Sequence, residues 1–360
     1  MFKGEVMKLG LLFTGFGEQF VTMGKDVYDV TRSTQELFDQ ASIVTQVNYI
    51  KLIFADSDAE LAKIENGYGA LYLVQAALYE ILKEKGICPE FIAGYGIGEY
   101  TAMHAAGGLT FVDGLYLLQK YATLIQQAQE ELSQYSILHI PRSISAEELE
   151  NLFPQLKVKE NSLFISAFNM PEDHFISGTH KSIDVLEDMC DKMEIKKMKR
   201  FGFEMELRTP WMQVVVDQFK IYFHKVTFHD LQVPVITNVD GAYITTAHAV
   251  EGAMLRRPVE PIHWYETMQG FAGCDTLLII GPGERLVKWA QSLYPDKKIM
   301  QILTLQDIAQ VVALLPENSE QCGPVVQEGA TLHDLDEQNE IEDEDDDFVD
   351  EASDEDVEVE

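Results

Sequence analysis

The chain has few cysteines and no long hydrophobic run, and each absence removes a class of protein. Its 360 residues include only four cysteines, at positions 88, 190, 274 and 322, and none of them form a C-x-x-C pair. This spacing predicts neither a disulfide framework nor a zinc site. No apolar stretch approaches the roughly 20 residues of a membrane helix, and the N-terminal residues lack a signal-peptide pattern. We therefore expect a cytoplasmic protein without metal, cofactor or membrane association.

Basic residues are also scarce, and the acidic excess is uneven. The formal net charge is −33, and the stretch from Asp334 to Glu360 contributes −17 of it without a lysine or arginine. The remaining −16 still argues against a basic surface for nucleic acid. Like charges at this density oppose packing, so residues 317–360 are predicted to be a linker and a disordered acidic tail. The tail could bind a partner with a basic surface, cover a basic patch of the body, or only confer solubility.

A glycine-rich corner lies between an apolar run and a helical pattern. The run Phe91–Ala93 leads into Gly94–Gly98, and a helix is predicted from Glu99 to Ala106 with Gly107 as its C-cap. Strand, glycine corner and helix are the setting of a nucleophile elbow, G-x-S-x-G. The serine position holds Gly96, which has no side chain to acylate. A dinucleotide fingerprint and a phosphate loop fit the spacing poorly, which leaves a tight turn without ligand as the alternative.

Alternating strand and helix patterns predict an α/β fold with a mainly parallel sheet covered on both faces. Between residues 136 and 205 the order changes to β-α-β-β-α-β, which is typical of a ferredoxin-like unit. We therefore predict a large domain from residues 1–135 and 206–316, with residues 136–205 inserted as a subdomain.

Several short motifs occur together in one order along the chain. They are Thr14–Gln19, Gly94–Tyr100, Ala167–Asn169 with Ile176–Gly178, Thr209–Met212, Asn238–Gly241, Trp264 and Gly281–Gly283. In this order they resemble the landmarks of the malonyl-CoA:acyl carrier protein transacylases, in which the first two read P-G-Q-G-S-Q and G-H-S-L-G-E-Y. The resemblance spans about residues 8–315. It implies the transacylase fold, with an α/β-hydrolase-like large domain and an inserted ferredoxin-like subdomain.

The resemblance also assigns family roles to positions of this chain, and the side chains there differ. The nucleophilic serine corresponds to Gly96, and the histidine base of F-H-S-P corresponds to Arg208. The arginine that pairs with the malonyl carboxylate corresponds to Tyr121. The oxyanion glutamine corresponds to Phe16, and the glutamine that orients the histidine corresponds to Arg257.

These replacements predict that the family's chemistry is lost. Arginine stays protonated and cannot act as a base, and a phenol cannot make the bidentate contact of an arginine. The backbone amide of Ile97 remains as an oxyanion donor. We therefore predict an inactive homologue that acts as an interaction or regulatory protein in or near fatty acid or polyketide acyl-chain synthesis. The alternative is an acyltransferase or thioesterase with weak or rewired activity.

The replaced side chains predict two alternative states of the old cleft. Phe16, Tyr95 and Tyr121, with Arg208 and Arg257, are large enough to fill it, and the guanidiniums can stack on the rings. The cleft would otherwise persist as a pocket for an anionic or planar ligand held by Arg208. A protein partner with a basic surface is expected, whereas acyl carrier protein and acyl-CoA stay open as weaker candidates.

Overall fold

The structure is a computed structural model and describes residues 7–314, which form ten strands and fifteen α-helices. The strands are β1 (Leu9–Phe13), β2 (Phe91–Gly94), β3 (Tyr135–Ile140), β4 (Leu163–Met170), β5 (Asp173–Thr179), β6 (Lys199–Gly202), β7 (Val235–Ile236), β8 (Tyr243–Ile244), β9 (Thr276–Ile280) and β10 (Lys298–Ile302). The helices are α1 (Lys25–Val30), α2 (Arg32–Thr45), α3 (Tyr49–Phe54), α4 (Asp58–Leu61), α5 (Ile64–Glu84), α6 (Gly98–Ala105), α7 (Phe111–Gln127), α8 (Gln129–Leu132), α9 (Ala146–Leu152), α10 (His180–Lys192), α11 (Gln213–Phe223), α12 (Ala247–Arg256), α13 (Trp264–Gln269), α14 (Arg285–Leu293) and α15 (Leu305–Val312).

A six-stranded sheet with the order β10-β9-β1-β2-β7-β8 forms one core of the molecule. Its strands are parallel except β8, which pairs antiparallel with β7. Strand β1 is central and fully buried, as its apolar sequence predicts. Phe13 aligns with Gly94 on one side and with Ile280 on the other, so three strands end at the same edge. In parallel sheets, ligands bind outside this edge.

Helices α5 and α6 pack on the sheet close to that edge, and α7 packs on both of them. Apolar residues at helical spacing predict a helix from Gly69 to Glu84. In the structure α5 begins five residues earlier, at Ile64, and most of its length lies in the core. Thr110 and Asp113 form a capping pattern that predicts the start of α7, and the Thr110 hydroxyl accepts a hydrogen bond from the Asp113 amide there. Gly107 follows α6 with φ +87°, as expected of a glycine that ends a helix.

A second, antiparallel sheet has the order β4-β5-β3-β6 and is formed between Tyr135 and Gly202. With α9 and α10 it has the predicted β-α-β-β-α-β order and its own apolar core, which includes Leu138, Ile176 and Leu186. The Ser145 capping box opens α9 as predicted. The domain boundaries at 136 and 205 remain predictions.

Other expectations need adjustment or lie outside the described residues. Proline at a first helical turn predicts a helix from Pro210 to Val226. In the structure this segment begins with a 3₁₀ turn, and its helix ends at Phe223. Cys190 and Cys274 are buried free thiols. The predicted acidic tail lies outside residues 7–314. Within that range, none of the helices has the length and apolarity of a membrane span, and no cluster of three or more potential ligands is placed to hold a metal.

Candidate functional site

The corner between β2 and α6 has the backbone of a nucleophile elbow. Gly96 has φ +56°, in the left-handed region that side chains rarely adopt. A Cβ on Gly94 would lie 2.1 Å from the Gly98 backbone, and a Cβ on Gly98 would lie 2.6 Å from the Thr14 carbonyl oxygen. The two flanking glycines are therefore required by close approach of the backbone, as the G-x-S-x-G pattern predicts.

Asn238 holds this corner in place from the neighbouring strand region. Its side-chain amide donates to the Gly94 carbonyl at 2.6 Å, and its side-chain oxygen accepts the Gly96 N–H at 2.9 Å. Its own N–H donates to Glu99 Oε1 at 2.9 Å. Ile97, whose amide we predict to be an oxyanion donor, is buried directly after Gly96. The elbow backbone is thus fixed although it presents no nucleophile.

A buried cluster of charged side chains lies against the elbow. Arg257 donates from Nη2 to Glu206 Oε1 and from Nε to the Gly96 carbonyl oxygen at 3.3 Å. Its Nε also lies 3.7 Å from Glu99 Oε2. Burial raises the pKa of the Glu99 carboxyl group, and the positive charges of Arg208 and Arg257 oppose this shift. Arg257 is therefore the centre of a buried ion-pair cluster.

Arg208, which the resemblance predicts to stand at the position of the family's histidine base, is the second buried cation. Its backbone φ is +49°, which is uncommon for a residue with a side chain. Nη2 lies 3.5 Å from Glu206 Oε2, but none of the guanidinium nitrogens makes a hydrogen bond to the part of the chain that the structure describes. Glu206 Oε2 lies 3.0 Å from the place that a Cβ on Gly96 would take. A carboxylate thus fills the space of the missing nucleophile.

Aromatic rings fill the adjacent part of the cleft. The Phe16 ring lies edge-on to Tyr68 with centroids 5.0 Å apart, and Tyr68 stacks with Tyr121 at 6.3 Å. The Arg257 guanidinium lies 5.5 Å from the Tyr121 ring centre and 5.1 Å from that of Tyr100, as cation–π contacts require. Burial raises the pKa of Tyr121 to about 12. A neutral, packed phenol therefore stands at the position that the resemblance predicts for the family's substrate-binding arginine.

Tyr95 connects the elbow with the second sheet. Its hydroxyl donates to Asn169 Oδ1 at 2.8 Å, and the Asn169 amide donates to Asp173 Oδ1 at 3.2 Å. The same Asp173 oxygen contacts His139 Nε2 at 2.9 Å. Burial opposes ionisation of Asp173, but hydrogen bonds from His139 and Asn169 hold its pKa below the usual range. Burial raises the pKa of Tyr95, so it is a neutral structural donor.

A cavity of about 30 Å³ remains beside the elbow. It is lined by Phe16, Tyr95, Gly96, Ile137, Ser166, Ala167, Phe175, Met205, Glu206, Arg208 and Ile262. None of these lining residues is a histidine or a cysteine. The volume suits one or two water molecules and is too small for an acyl chain with its pantetheine arm. Of the predicted site residues, Phe16, Gly96 and Arg208 line this cavity, whereas Tyr121 and Arg257 are buried beside it.

The sequence did not indicate the two carboxylates of the cluster. Glu99 belongs to the G-E-Y part of the elbow motif, and Asn238 belongs to another motif. The sequence therefore includes both residues in motifs but assigns neither of them a role. Glu206 follows the second sheet in an irregular segment two residues before Arg208. No periodicity or motif indicates a role for Glu206. The two arginines predicted to lie in the cleft were the available signal, because buried arginines require an acidic partner.

Comparisons with known proteins place the chain in a family. The family model described as acyl transferase domain matches residues 11–280. The chain therefore belongs to the acyl transferase domain family. Within it, the relatives and solved structures identify the malonyl-CoA:acyl carrier protein transacylases, which confirms the resemblance seen in the sequence.

The relatives match this chain over nearly their whole length. A malonyl CoA-acyl carrier protein transacylase of Bacillus subtilis strain 168 is 26% identical over 317 residues, which cover 87% of this chain and 99% of the relative. The transacylase of Staphylococcus aureus strain MRSA252 is 24% identical over 303 residues, 84% of this chain and 97% of the relative. The solved transacylase of Coxiella burnetii has a TM-score of 0.81 at 23% identity and covers 87% of this chain and 99% of its own.

A solved complex also shows what one of these proteins assembles with. It contains a type II polyketide synthase acyl carrier protein with its malonyl-transacylase, and aligns with a TM-score of 0.80 at 22% identity over 85% of this chain and 99% of that one. Similarity at this identity establishes the fold. The predicted α/β transacylase fold, with a mainly parallel sheet and a smaller antiparallel one, is therefore confirmed.

Proposed function

We propose that this chain is a non-catalytic member of the transacylase family that acts as an interaction or regulatory protein in or near fatty acid or polyketide acyl-chain synthesis. One observation carries the proposal. At the elbow, Gly96 offers no nucleophile, and the Glu206 carboxylate occupies the space in front of it. In a serine hydrolase, loss of the triad removes about 10⁶ of the rate. Here the nucleophile, the base and the substrate arginine are all replaced.

The cluster also explains why one back-substitution would not restore transfer. A serine in place of Gly96 would place its Cβ 3.0 Å from Glu206 Oε2 and would keep a strained backbone. Arg208 would still supply no base. Acyl transfer therefore requires at least Gly96→Ser, Arg208→His and Tyr121→Arg together, with Glu206 removed.

Intact-mass spectrometry with malonyl-, acetyl- and longer acyl-CoAs tests this proposal. The unmodified chain and Gly96→Ser are expected to show no acyl addition. The combined variant Gly96→Ser/Glu206→Gln/Arg208→His/Tyr121→Arg measures whether the fold still supports acylation, and an active relative serves as the positive control. Acyl addition to the unmodified chain would contradict the proposal, and peptide mapping would locate the nucleophile.

A second function, thioester hydrolysis, is favoured by the position of Glu206. Its carboxylate lies beside the elbow and next to a cavity with room for water, where a general base would be needed. Both carboxylate oxygens, however, face arginines. Release of free CoA from acyl-CoA that disappears in Glu206→Gln would support hydrolysis, whereas equal release by both proteins would exclude this role.

The partner is proposed from charge. Acyl carrier protein binds some relatives, but a chain with a net charge of −33 repels other acidic proteins at low salt. A partner with a basic surface is favoured, and the acidic stretch from Asp334 onward is the segment to which it would bind. Pull-downs with the full chain and with a chain ending at residue 333 test whether the tail binds a basic partner or only confers solubility. Loss of salt-sensitive partners on truncation supports the proposal, and an unchanged set shows that the tail only confers solubility.

A further inference from the structure

The buried guanidinium of Arg208 has more hydrogen-bond donors than the structure gives it acceptors. The residue is 2% exposed, and within residues 7–314 Nε, Nη1 and Nη2 all lack a hydrogen-bond partner. A guanidinium carries five N–H donors and stays charged at every working pH. A buried charge without acceptors is costly and calls for a compensating group.

Glu206 compensates Arg208 only in part. Its Oε1 accepts from Arg257, and its Oε2 lies 3.5 Å from Arg208 Nη2 without a hydrogen bond. The second carboxyl group of the cluster, Glu99, accepts a hydrogen bond from the backbone N–H of Asn238 and lies 3.7 Å from Arg257 Nε, and the charges of Arg208 and Arg257 both favour its ionised form. Of the two cations, Arg257 therefore has a hydrogen bond to a carboxylate of the cluster, whereas Arg208 has ionic contact without a hydrogen bond among the described residues. Arg208 keeps donors available for another anion.

The cavity beside Arg208 has two kinds of wall. Arg208 and Glu206 form the charged wall, and apolar side chains such as Ile137, Phe175 and Ile262 form the other. A carboxylate matches the fork of a guanidinium in a bidentate pair, and an apolar wall suits one or two attached carbons. The volume of about 30 Å³ limits the ligand to a few heavy atoms.

We propose that this cavity binds a small monocarboxylate, of the size of formate or acetate, with its oxygens on Arg208 and its apolar end against Phe175 and Ile262. The ligand is held without a covalent bond, so the site goes beyond the proposed function and does not depend on whether the elbow is catalytic. The same carboxylate chemistry occurs in free short acids and at the end of a malonyl thioester, and the two sources are separated by experiment.

Titration calorimetry of the full chain tests the site, with formate, acetate, malonate and malonyl-CoA as probes. Ionic strength is held constant with gluconate, which is too large for the cavity. Formate and acetate are expected to bind, and Arg208→Lys, which loses the fork, is expected to weaken binding at least about tenfold. Glu206→Gln removes the competing carboxylate and is expected to tighten binding by about the same factor. Arg256→Gln, at an exposed arginine, is the matched control and leaves binding unchanged.

A second variant separates the site from the stability of the cluster. Ala167→Leu adds volume at the cavity wall while Arg208 is retained, and it is expected to abolish binding in a chain that still unfolds cooperatively. Malonyl-CoA binding that requires Arg208, without binding of the free acids, would identify the thioester as the source. Absence of binding for every probe at about 50 mM, in both the wild type and Glu206→Gln, would overturn the site. Binding that survives Arg208→Lys and Ala167→Leu would overturn it as well.

Discussion

The arginine ion pairs beside the two sheets lie in opposite environments. Beside the parallel sheet, Arg257 is fully buried and pairs with Glu206, whose side chain is 8% exposed. On the antiparallel sheet, Arg200 reaches Asp184 at 2.6 Å and Glu187 at 3.3 Å, but its side chain is 31% exposed and that of Asp184 is 63% exposed. Water screens the second group and not the first. Ion pairs of similar geometry therefore contribute differently to the free energy of unfolding beside the two sheets.

Because they are buried, the charged residues of the cleft depend on one another. A buried charge is tolerated only with its partner, so Arg257 requires Glu206, and removal of either leaves the other uncompensated. Gly96, Arg208 and Arg257 are thus coupled through Glu206. The packed, charge-coupled cluster is therefore one structural element of this chain.

The largest expected effect is the loss of Arg257. Arg257→Gln leaves the Glu206 carboxylate without its hydrogen-bonded cation in the core, and we expect a loss of about 3–5 kcal/mol in the free energy of unfolding. Arg200→Gln on the other sheet is the matched control, with an expected loss of at most about 1 kcal/mol because its ion pairs are exposed. Urea unfolding of both variants gives the comparison. Equal losses would contradict the buried character of the cluster.

The region of the parallel sheet also buries a histidine that titrates on unfolding. Burial lowers the pKa of His104 from 6.5 to about 4. The unfolded chain then binds more protons between these values, so this residue's contribution to stability is complete above pH 6.5 and is lost as the pH falls towards 4. The full difference amounts to up to about 3 kcal/mol.

His104→Gln measures this contribution as a difference between two pH profiles. The variant keeps a donor for the Leu109 carbonyl oxygen, which His104 Nδ1 contacts at 3.2 Å. Its free energy of unfolding is expected to fall less steeply than that of the wild type between pH 6.5 and 4. Parallel profiles for the two proteins would show that His104 is not held neutral by burial.

A smaller loss of stability is expected from substitution of two glycines, Gly98 at the elbow beside the parallel sheet and Gly178 in β5 of the antiparallel sheet. A Cβ on Gly98 would meet the Thr14 and Phe13 carbonyl oxygens at 2.6 and 2.7 Å, and backbone cannot move aside. Gly98→Ala is therefore expected to cost about 1–3 kcal/mol. In the other sheet, a Cβ on Gly178 would meet the Leu163 side chain at 2.6 Å, which can rotate away. Thermal unfolding should show a smaller loss for Gly178→Ala, and the reverse order would contradict the elbow geometry.

Local signals were enough to predict the fold. Strand β1 and helices α6 and α7 follow from apolar runs, glycines and caps, all of which act between neighbouring residues. The elbow at Gly96 could be predicted from its glycine spacing, because Gly94 closely approaches the Gly98 backbone four residues on; the approach of Gly98 to the Thr14 carbonyl oxygen is a long-range contact that the sequence did not indicate. The weak, short strand β8 and the helices before Ile64 were not identified, since their patterns are short and mixed.

The sequence predicted which positions lie at the site, but not the hydrogen bonds and ion pairs that their side chains form. The motif order brought Phe16, Gly96 and Arg208 to one cavity, as the structure shows. The pairing of Arg257 with Glu206 joins residues 51 positions apart through an irregular segment, and no sequence period records such a contact. The network from Tyr95 to His139 likewise depends on how the two sheets meet.

The central claim is that this chain does not transfer acyl groups. The most direct measurement is malonyl transfer from malonyl-CoA to an acyl carrier protein by the unmodified full chain, beside an active relative at the same concentration. The account predicts a rate equal to that without protein, unchanged by Glu206→Gln. Transfer above that background which requires the folded chain would contradict it, and a transfer rate that falls with Glu206→Gln would place a rewired chemistry at this cleft.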